Sequence, residues 1–298
     1  MTVRARILGA AAGGGLPQWN CGCNNCNLAR SGVIPRLTQS SLAISGADGS
    51  WAILNASPDI REQLTQARSL HPSGLRELPL SAVVVTNGDI DHVAGLLTLR
   101  ESQPFTLFAT PGIHAVLDAN PIFDAVNRDL VPRRAIALEE AFDLVPGIAA
   151  RLFAVPGKVP LYMEAGEVVT DLMGEQTVGV EIEAAGKRIY YIPGCARLSD
   201  DLAARIRGAN LLFFDGTLWR DDEMIREGLG HKTGARMGHM SMSGPDGSIA
   251  AMAGLGIAQK VFVHMNNTNP VHRPDAPERA LAEAAGWTIG QDGMEITP

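Results

Sequence analysis

Two carboxylates and an imidazole, Asp89, Asp91 and His92, fall within four residues of one another. A turn that held all three could direct oxygen and nitrogen ligands at one metal ion. The β-branched run 83–85 before them predicts a buried strand, and an apolar, helix-like segment follows them. Asp89 and Asp91 could instead only cap that helix, since aspartate is favoured at a helix N-terminus. The spacing alone leaves both interpretations open.

Three of the four cysteines form a second potential metal site, with the spacing C-x-C-x-x-C at Cys21, Cys23 and Cys26. Three thiolates at this spacing can bind one side of a tetrahedral zinc, with a fourth ligand from elsewhere in the chain. Glycine and asparagine residues surround them, which is unusual for cysteines in a packed core. We therefore predict a structural zinc rather than a disulfide framework or three ordinary buried cysteines.

The composition is that of a globular protein with a substantial core, because 46% of the 298 residues are hydrophobic. No linker rich in proline, serine or charge divides the chain, so we expect one domain over residues 1–298. The net charge of −7 argues against a nucleic-acid partner. No apolar run approaches the length of a membrane span, and the N-terminal segment is expected to form a first strand. We therefore expect a cytoplasmic protein without a membrane partner.

The strands that must position the candidate ligands occur in two strand-rich halves, each followed by helices. This order predicts an α/β fold in which two sheets pack together with helices outside. In the second half, strand-like runs at 210–214 and 260–263 lead directly into Asp215 and His264. Candidate ligands of both halves thus follow strand ends.

Three local signals predict shorter features of the first half. The run 46–49, Gly-Ala-Asp-Gly, is typical of a hairpin turn between two strands. Ser57 is expected to cap a helix that has Pro58 at its first position. A further helix is expected near 122–128.

The motif after the first strand run resembles the metallo-β-lactamase superfamily, whose signature is a strand followed by His-x-His-x-Asp-His. The matching positions in this chain are Asn87, Asp89, Asp91 and His92. The first two histidines of the signature are therefore absent.

Other metal-binding positions of the superfamily also differ here. Gly157 stands where the resemblance places the next histidine, and Cys195 stands at the bridging aspartate. His264, at a strand end, matches the last histidine. A conventional two-zinc hydrolase centre is therefore not expected.

Within that superfamily, the chain resembles a family that takes part in the synthesis of pyrroloquinoline quinone (PQQ), through landmarks that cover nearly its whole length. The resemblance implies a metallo-β-lactamase-like αββα sandwich, with two packed mixed sheets and helices on their outer faces. Asp89, Asp91, His92 and His264 remain as ligands, and imidazoles with carboxylate and open positions suit Fe(II) and O₂ better than two bridged zinc ions.

The activity implied by this resemblance is an iron-dependent hydroxylase acting on the tyrosine ring of a Glu-Tyr-derived precursor of PQQ. Its expected partners are O₂, this small peptide-derived substrate and other proteins of the PQQ pathway. Two alternatives stay open, a carrier or transport factor for PQQ or its precursor and a zinc-dependent hydrolase. An unpaired group of carboxylates would repel itself without a cation, which argues against a pure carrier.

The cysteine cluster resembles the structural zinc site of a related cyclic-phosphate phosphodiesterase. There, a residue three positions after the last catalytic histidine is the fourth ligand, and the equivalent here is Asn267. Asparagine is a poor zinc ligand, so the fourth ligand is left open, with His272 as a nearby substitute.

Three further residues have less sequence context. His239 lies in a glycine-flanked loop, and by resemblance it faces the metal as a substrate contact or proton donor, with a structural histidine as the equal alternative. Asp215 could orient a ligand or bind metal weakly. Cys195 is predicted to be a buried apolar residue rather than a nucleophile, because no activating base is evident beside it.

Overall fold

Two seven-stranded sheets form the centre of the molecule in the computed structural model, which describes residues 3–298. Residues 1 and 2 of the expected domain lie outside the described part. The first sheet consists of Arg4–Gly9 (β1), Ser41–Ser45 (β2), Trp51–Leu54 (β3), Leu80–Val84 (β4), Thr106–Ala109 (β5), Arg133–Ala135 (β6) and a late strand, Glu295–Ile296 (β14). The second consists of Ala141–Val145 (β7), Ile148–Ala154 (β8), Val178–Ala184 (β9), Lys187–Ile192 (β10), Leu211–Asp215 (β11), Gln259–Val263 (β12) and Trp287–Ile289 (β13).

Short helices cover the outer faces of the two sheets, which confirms the predicted αββα sandwich. The α-helices are Asn24–Arg30 (α1), Ile60–Gln66 (α2), Ile90–Val93 (α3), Pro111–Asp118 (α4), Asp200–Ile206 (α5), Glu223–Arg226 (α6), Gly234–Met237 (α7), Ser248–Ala251 (α8) and Pro277–Ala284 (α9). The 3₁₀ helices are Arg68–Leu70, Ala94–Arg100, Pro121–Ala125, Leu161–Met163 and Pro270–His272. None of the helices within residues 3–298 has the length and apolar character required to cross a bilayer.

Each sheet is antiparallel on one side and parallel on the other. The strand orders are β14-β1-β2-β3-β4-β5-β6 and β13-β12-β11-β10-β9-β8-β7. Strands β3 to β6 run parallel, and so do β10 to β13. Apart from the polar, exposed edge strand β6, the parallel strands are mostly apolar and largely buried, as expected for strands covered on both faces.

The carboxyl ends of the parallel strands carry the candidate chemistry. Strand β4 is followed by the segment 85–92, Asp215 is the last residue of β11, and His264 follows β12 directly. In open α/β sheets, ligands bind beyond such strand ends, where loops rather than side-chain layers fill the space. The fold therefore brings the loops of both sheets to one site.

The local predictions have mixed outcomes. The hairpin is confirmed, because β2 and β3 pair antiparallel and the Gly46 amide donates to the Ser50 carbonyl oxygen at 2.6 Å. The prediction of a Ser57 cap is wrong: the helix begins at Ile60, with Asp59 as its N-cap, and Ser57 Oγ accepts from the Asp59 amide at 3.3 Å. The helix predicted near 122–128 is present only in part, as a 3₁₀ helix of five residues, Pro121–Ala125.

The helical segment after the corner becomes 3₁₀ from Ala94 onward. Gly95 lies so close to the preceding loop that a Cβ would meet the Ser57 carbonyl oxygen at 2.1 Å. Its amide donates to the Ala56 carbonyl oxygen at 2.9 Å. Backbone contact of this kind fixes the corner against the loop that precedes α2.

Candidate metal centre

Asp91, His92 and His264 form a compact group of potential metal ligands. One donor atom from each lies within 4.8 Å of the others. Asp91 Oδ2 is 3.1 Å from His264 Nε2 and 3.8 Å from His92 Nε2. Asp91 and His264 are 173 residues apart, so only the packing of the two sheets joins them.

His92 directs an unprotonated nitrogen into this group. Its Nδ1 donates to Asn87 Oδ1 at 2.7 Å, and the same oxygen accepts from the Asp89 amide at 3.0 Å. Burial lowers the pKa of His92 to about 4, so the ring is neutral near pH 7. With its proton on Nδ1, Nε2 is a free acceptor, and this buried atom has no hydrogen-bond partner within residues 3–298. An orphaned buried nitrogen that faces a carboxylate and a second imidazole is what a metal ligand requires.

His264 is oriented in the same way from the other sheet. Its Nδ1 donates to Thr217 Oγ1 at 2.8 Å, and that hydroxyl donates in turn to Asp215 Oδ1 at 2.6 Å. His264 Nε2 is thereby left for Asp91 or a metal. The backbone of His264 has a φ of 56°, which is strained for a non-glycine residue and is typical of functional positions.

Asp215 is an orienting residue whose acceptor positions are already occupied. Oδ1 accepts from the amide and hydroxyl of Thr217, and Oδ2 accepts from the Cys195 amide at 2.9 Å and from His239 Nδ1 at 2.6 Å. A carboxylate offers about four acceptor sites, so these four donors fill it. Asp215 and His239 also lie within 4.8 Å of His264, but hydrogen bonding accounts for this proximity. The Nε2 of His239 is then the nitrogen available to a ligand.

The two carboxylates of the corner differ in position. The imidazoles of His92 and His264 outweigh burial and hold the pKa of Asp91 below its usual range. Burial and the neighbouring Asp91 raise the pKa of Asp89, which lines the same cavity but is not brought into the ligand group. Asp89 is the N-cap residue of α3, yet its side chain makes no capping hydrogen bond. Capping therefore does not explain the carboxylates.

Two of the substituted superfamily positions, Gly157 and Cys195, cannot supply further ligands. A Cβ on Gly157 would lie 2.7 Å from Thr177, so that position has no room for a histidine without movement. Cys195 is fully buried, its Sγ donates to the Arg197 carbonyl oxygen, and burial raises the pKa of its thiol. The donor set is thus one carboxylate and two imidazoles, which fits a single ion with open positions.

The sulfurs of Cys21, Cys23 and Cys26 form the second group, within 4.8 Å of one another. The side-chain amide of Asn267 faces all three, with Nδ2 at 3.2, 3.4 and 3.3 Å. The two ends of an amide exchange by a half-turn, which would direct Oδ1 at an ion among the thiolates. Burial raises the pKa of Cys23 to about 12, so a cation is needed to hold three thiolates there.

His272 is not a substitute for Asn267. Its Nε2 hydrogen-bonds the Asn266 carbonyl oxygen at 2.8 Å, and the ring does not join the cysteine group. Asn267, rather than His272, is therefore the residue that faces the three sulfurs.

A cavity of about 360 Å³ opens onto the first group. Its floor holds Asp89, Asp91 and the three histidines 92, 239 and 264. Leu161, Met224 and Met237 form apolar walls. This volume and mixture of walls suit a small ligand with an apolar body.

Comparison with known proteins identifies the family. Residues 50–265 match the model of the beta-lactamase superfamily domain. A "Coenzyme PQQ synthesis protein B" of Ruegeria pomeroyi is 61% identical over 97% of this chain and 98% of its own length, and one of Methylorubrum extorquens is 57% identical over 97% and 98%. The chain belongs to the coenzyme PQQ synthesis protein B family. A solved member, "Zn(2+)-bound PqqB from Methylobacterium extorquens", superposes with a TM-score of 0.97 at 55% identity, covering 98% of this chain and 99% of that one.

A more distant structure shares only the fold with this family. A "New Diphosphatase from the PhnP Family" has a TM-score of 0.72 at 21% identity and covers 100% of this chain and 98% of its own. This likeness agrees with the αββα architecture that the resemblance implied.

Two orienting residues of the site were not recognised from the sequence. Asn87 was identified only as a missing histidine, and Thr217 was not singled out at all. Asn87 occupies a signature position, and its side chain carries a hydrogen-bond acceptor. This acceptor was the feature of the sequence that could have indicated an orienting role. Thr217 follows Asp215 by two residues, a spacing that carries no comparable signal.

Proposed function

We propose that the protein is an Fe(II)- and O₂-dependent hydroxylase that adds oxygen to the tyrosine ring of a Glu-Tyr-derived precursor during PQQ synthesis. The observation that carries the proposal is the donor set: Asp91, the orphaned Nε2 of His92 and Nε2 of His264, with no further ligand from Gly157 or Cys195. One carboxylate and two imidazoles leave open positions, which is the arrangement of non-haem iron oxygenases. The similarity to PQQ synthesis proteins supports the pathway.

The reaction replaces a ring C–H bond by C–OH. One oxygen atom of O₂ enters the product, and the other leaves as water with two electrons from an external reductant and two protons. A ferrous ion held by Asp91, His92 and His264 would supply the activation of O₂. Asn87 and Thr217 keep the two ligand imidazoles in the tautomer that faces the ion.

His239 is the residue proposed to handle the substrate phenol. His239 Nδ1 donates a hydrogen bond to Asp215, so its Nε2 can accept a hydrogen bond from a hydroxyl in the cavity. Met224, Met237 and the exposed Leu161 line this cavity and would contact the ring. A cavity lined by these apolar side chains and by His239 favours an aromatic substrate with a hydroxyl over a fully polar one.

The test is anaerobic loading with Fe(II), followed by exposure to isotopically labelled O₂ with glutamyl-tyrosine and ascorbate. Mass spectrometry should detect one labelled oxygen atom in the ring, with matching O₂ uptake. His92→Ala and His264→Ala should abolish product and weaken Fe(II) binding, while the zinc of the cysteines is retained. His71→Ala, which changes an exposed histidine outside the site, is the matched control.

Two other outcomes would replace this proposal. Zinc-dependent turnover of phosphodiesters without oxygenation would favour a hydrolase. Stoichiometric binding of PQQ without any turnover would favour a carrier.

A further inference from the structure

Two lysines line the cavity of the metal centre, and one of them is already paired with a carboxylate. Lys158 Nζ lies 3.1 Å from Glu164 Oε1 and donates to the Val159 carbonyl oxygen at 3.2 Å. Glu164 also accepts from Arg236 at 2.9 Å, so a single carboxylate joins two cations. Lys158 is therefore held as part of the wall.

Lys232 is different, because it is exposed and lines the cavity. Within residues 3–298, its ammonium has no carboxylate within 4.0 Å and no hydrogen-bond partner. Met224 and Met237 line the same cavity. A positive charge next to polarizable apolar side chains suits a ligand with an apolar body and an anionic end.

The floor of the cavity determines which way such a ligand binds. Asp89, which lies outside the ligand group, is acidic and would repel a carboxylate brought next to it, whereas a bound ion would balance the charge of Asp91. A phenol ring carries no such penalty and can approach the histidines. The anionic end is thus directed toward Lys232 and the ring toward His239.

We propose that Lys232 is a specificity-determining residue that selects phenols bearing a carboxylate and binds that carboxylate at the mouth of the cavity, with the ring directed inward. The proposal deepens the hydroxylase assignment and rests on it for the orientation of the ring. It excludes equally sized neutral phenols as preferred ligands.

The experiment measures binding without turnover, by calorimetry on protein whose centre is loaded with redox-inert Zn²⁺. The probes are N-acetyl-L-tyrosine, which has one carboxylate, and N-acetyl-L-tyrosinamide, which is neutral and otherwise matched. Wild-type protein should bind the acid about 1.4- to fivefold more tightly, the range expected for one exposed charge pair, and high salt should reduce the difference. Lys232→Gln should bind both equally, Lys232→Arg should restore the preference, and Lys187→Gln, an exposed lysine outside this cavity, should behave as wild type.

Equal binding of the two probes by wild-type protein, or no binding of either, would overturn the proposal. So would a preference that survives in Lys232→Gln, because the carboxylate would then be bound elsewhere, for instance by the metal. A Lys232-dependent preference together with no oxygenation in the Fe(II) assay would refute the hydroxylase and leave the carboxylate site standing.

Discussion

Replacing Asn25 with alanine tests whether the cysteine segment holds the loop that carries His264. The side chain of Asn25 is almost fully buried, and its Nδ2 donates to the carbonyl oxygens of Asn267 and Asn269, both at 2.9 Å. These two acceptors belong to the segment that begins at His264 and presents the Asn267 amide to the cysteines. Asn25 thus links the two candidate metal sites through hydrogen bonds from its side chain to two backbone carbonyl oxygens.

The size of the effect follows from the two hydrogen bonds. Leaving a buried acceptor unsatisfied costs about 1–3 kcal/mol, whereas a hydrogen bond to water partly compensates where water can enter. Two carbonyl oxygens lose their donor at once, and a small cavity remains. We expect Asn25→Ala to lower the free energy of unfolding by about 2–4 kcal/mol.

Urea denaturation of the zinc-loaded protein measures the loss, and competitive chelation measures the affinities for Zn²⁺ and Fe(II). Both affinities should fall, because the Asn267 amide and His264 lose a common support. Asn24→Ala is the matched control, since Asn24 is an exposed neighbour in the same helix. A loss below 1 kcal/mol in Asn25→Ala, or an equal loss in the control, would show that Asn25 does not support this loop.

Three further predictions concern the metals and one buried acid. Cys23→Ser should remove one zinc per chain and lower the melting temperature, because zinc binding contributes to folding; metal analysis with unchanged zinc would refute it. Asn87→Ala should weaken Fe(II) binding about 10- to 100-fold, because His92 loses the acceptor that fixes its tautomer; unchanged affinity in a titration would contradict this. Burial raises the pKa of Glu223 to about 7 from 4.5. Between these two pH values the folded state keeps a proton that the unfolded state has lost. The free energy of unfolding should therefore fall as the pH rises through this window, by at most about 3 kcal/mol. Glu223→Gln should flatten that part of the stability–pH profile, and a profile that keeps its slope would rule out Glu223 as the cause.

The central strands were predictable because they are short and apolar, whereas the edge strand β6, Arg-Arg-Ala, lacks that pattern. The run 83–85 and the hairpin at 46–49 have patterns that only strands and a tight turn satisfy. Helix type was less predictable. The segment after Val93 is apolar enough for an α-helix. However, Gly95 lies against the backbone carbonyl oxygens of Ala56 and Ser57, and local helix propensity does not reveal such a contact between distant residues.

The residues of the site were predictable where they could bind metal and less so where they only orient a ligand. His92 and His264 have ligand chemistry of their own, whereas Thr217 acts only through the two hydrogen bonds that connect it to His264 and Asp215. Threonines occur throughout the chain, so only the positions at which β11 and β12 end give Thr217 its role. Asn267 lies between these cases, because the spacing from His264 suggested its position while its amide argued against the role.

The substitutions at the superfamily positions have consequences that are linked to one another. At the first histidine position, Asn87 offers an oxygen that faces His92 Nδ1, so this position has changed from binding metal to orienting the ligand five residues later. At the bridging position, Cys195 offers only its backbone amide, and that amide donates to Asp215. This hydrogen bond occupies one acceptor position of the Asp215 carboxylate, which would otherwise be the nearest replacement ligand. Each change therefore removes one ligand from a second metal ion and uses the local backbone or side chain to fix the ligands of the first. A single ion at Asp91, His92 and His264 is the arrangement with which these changes are all consistent, and restoring one histidine alone would not recreate a two-metal centre.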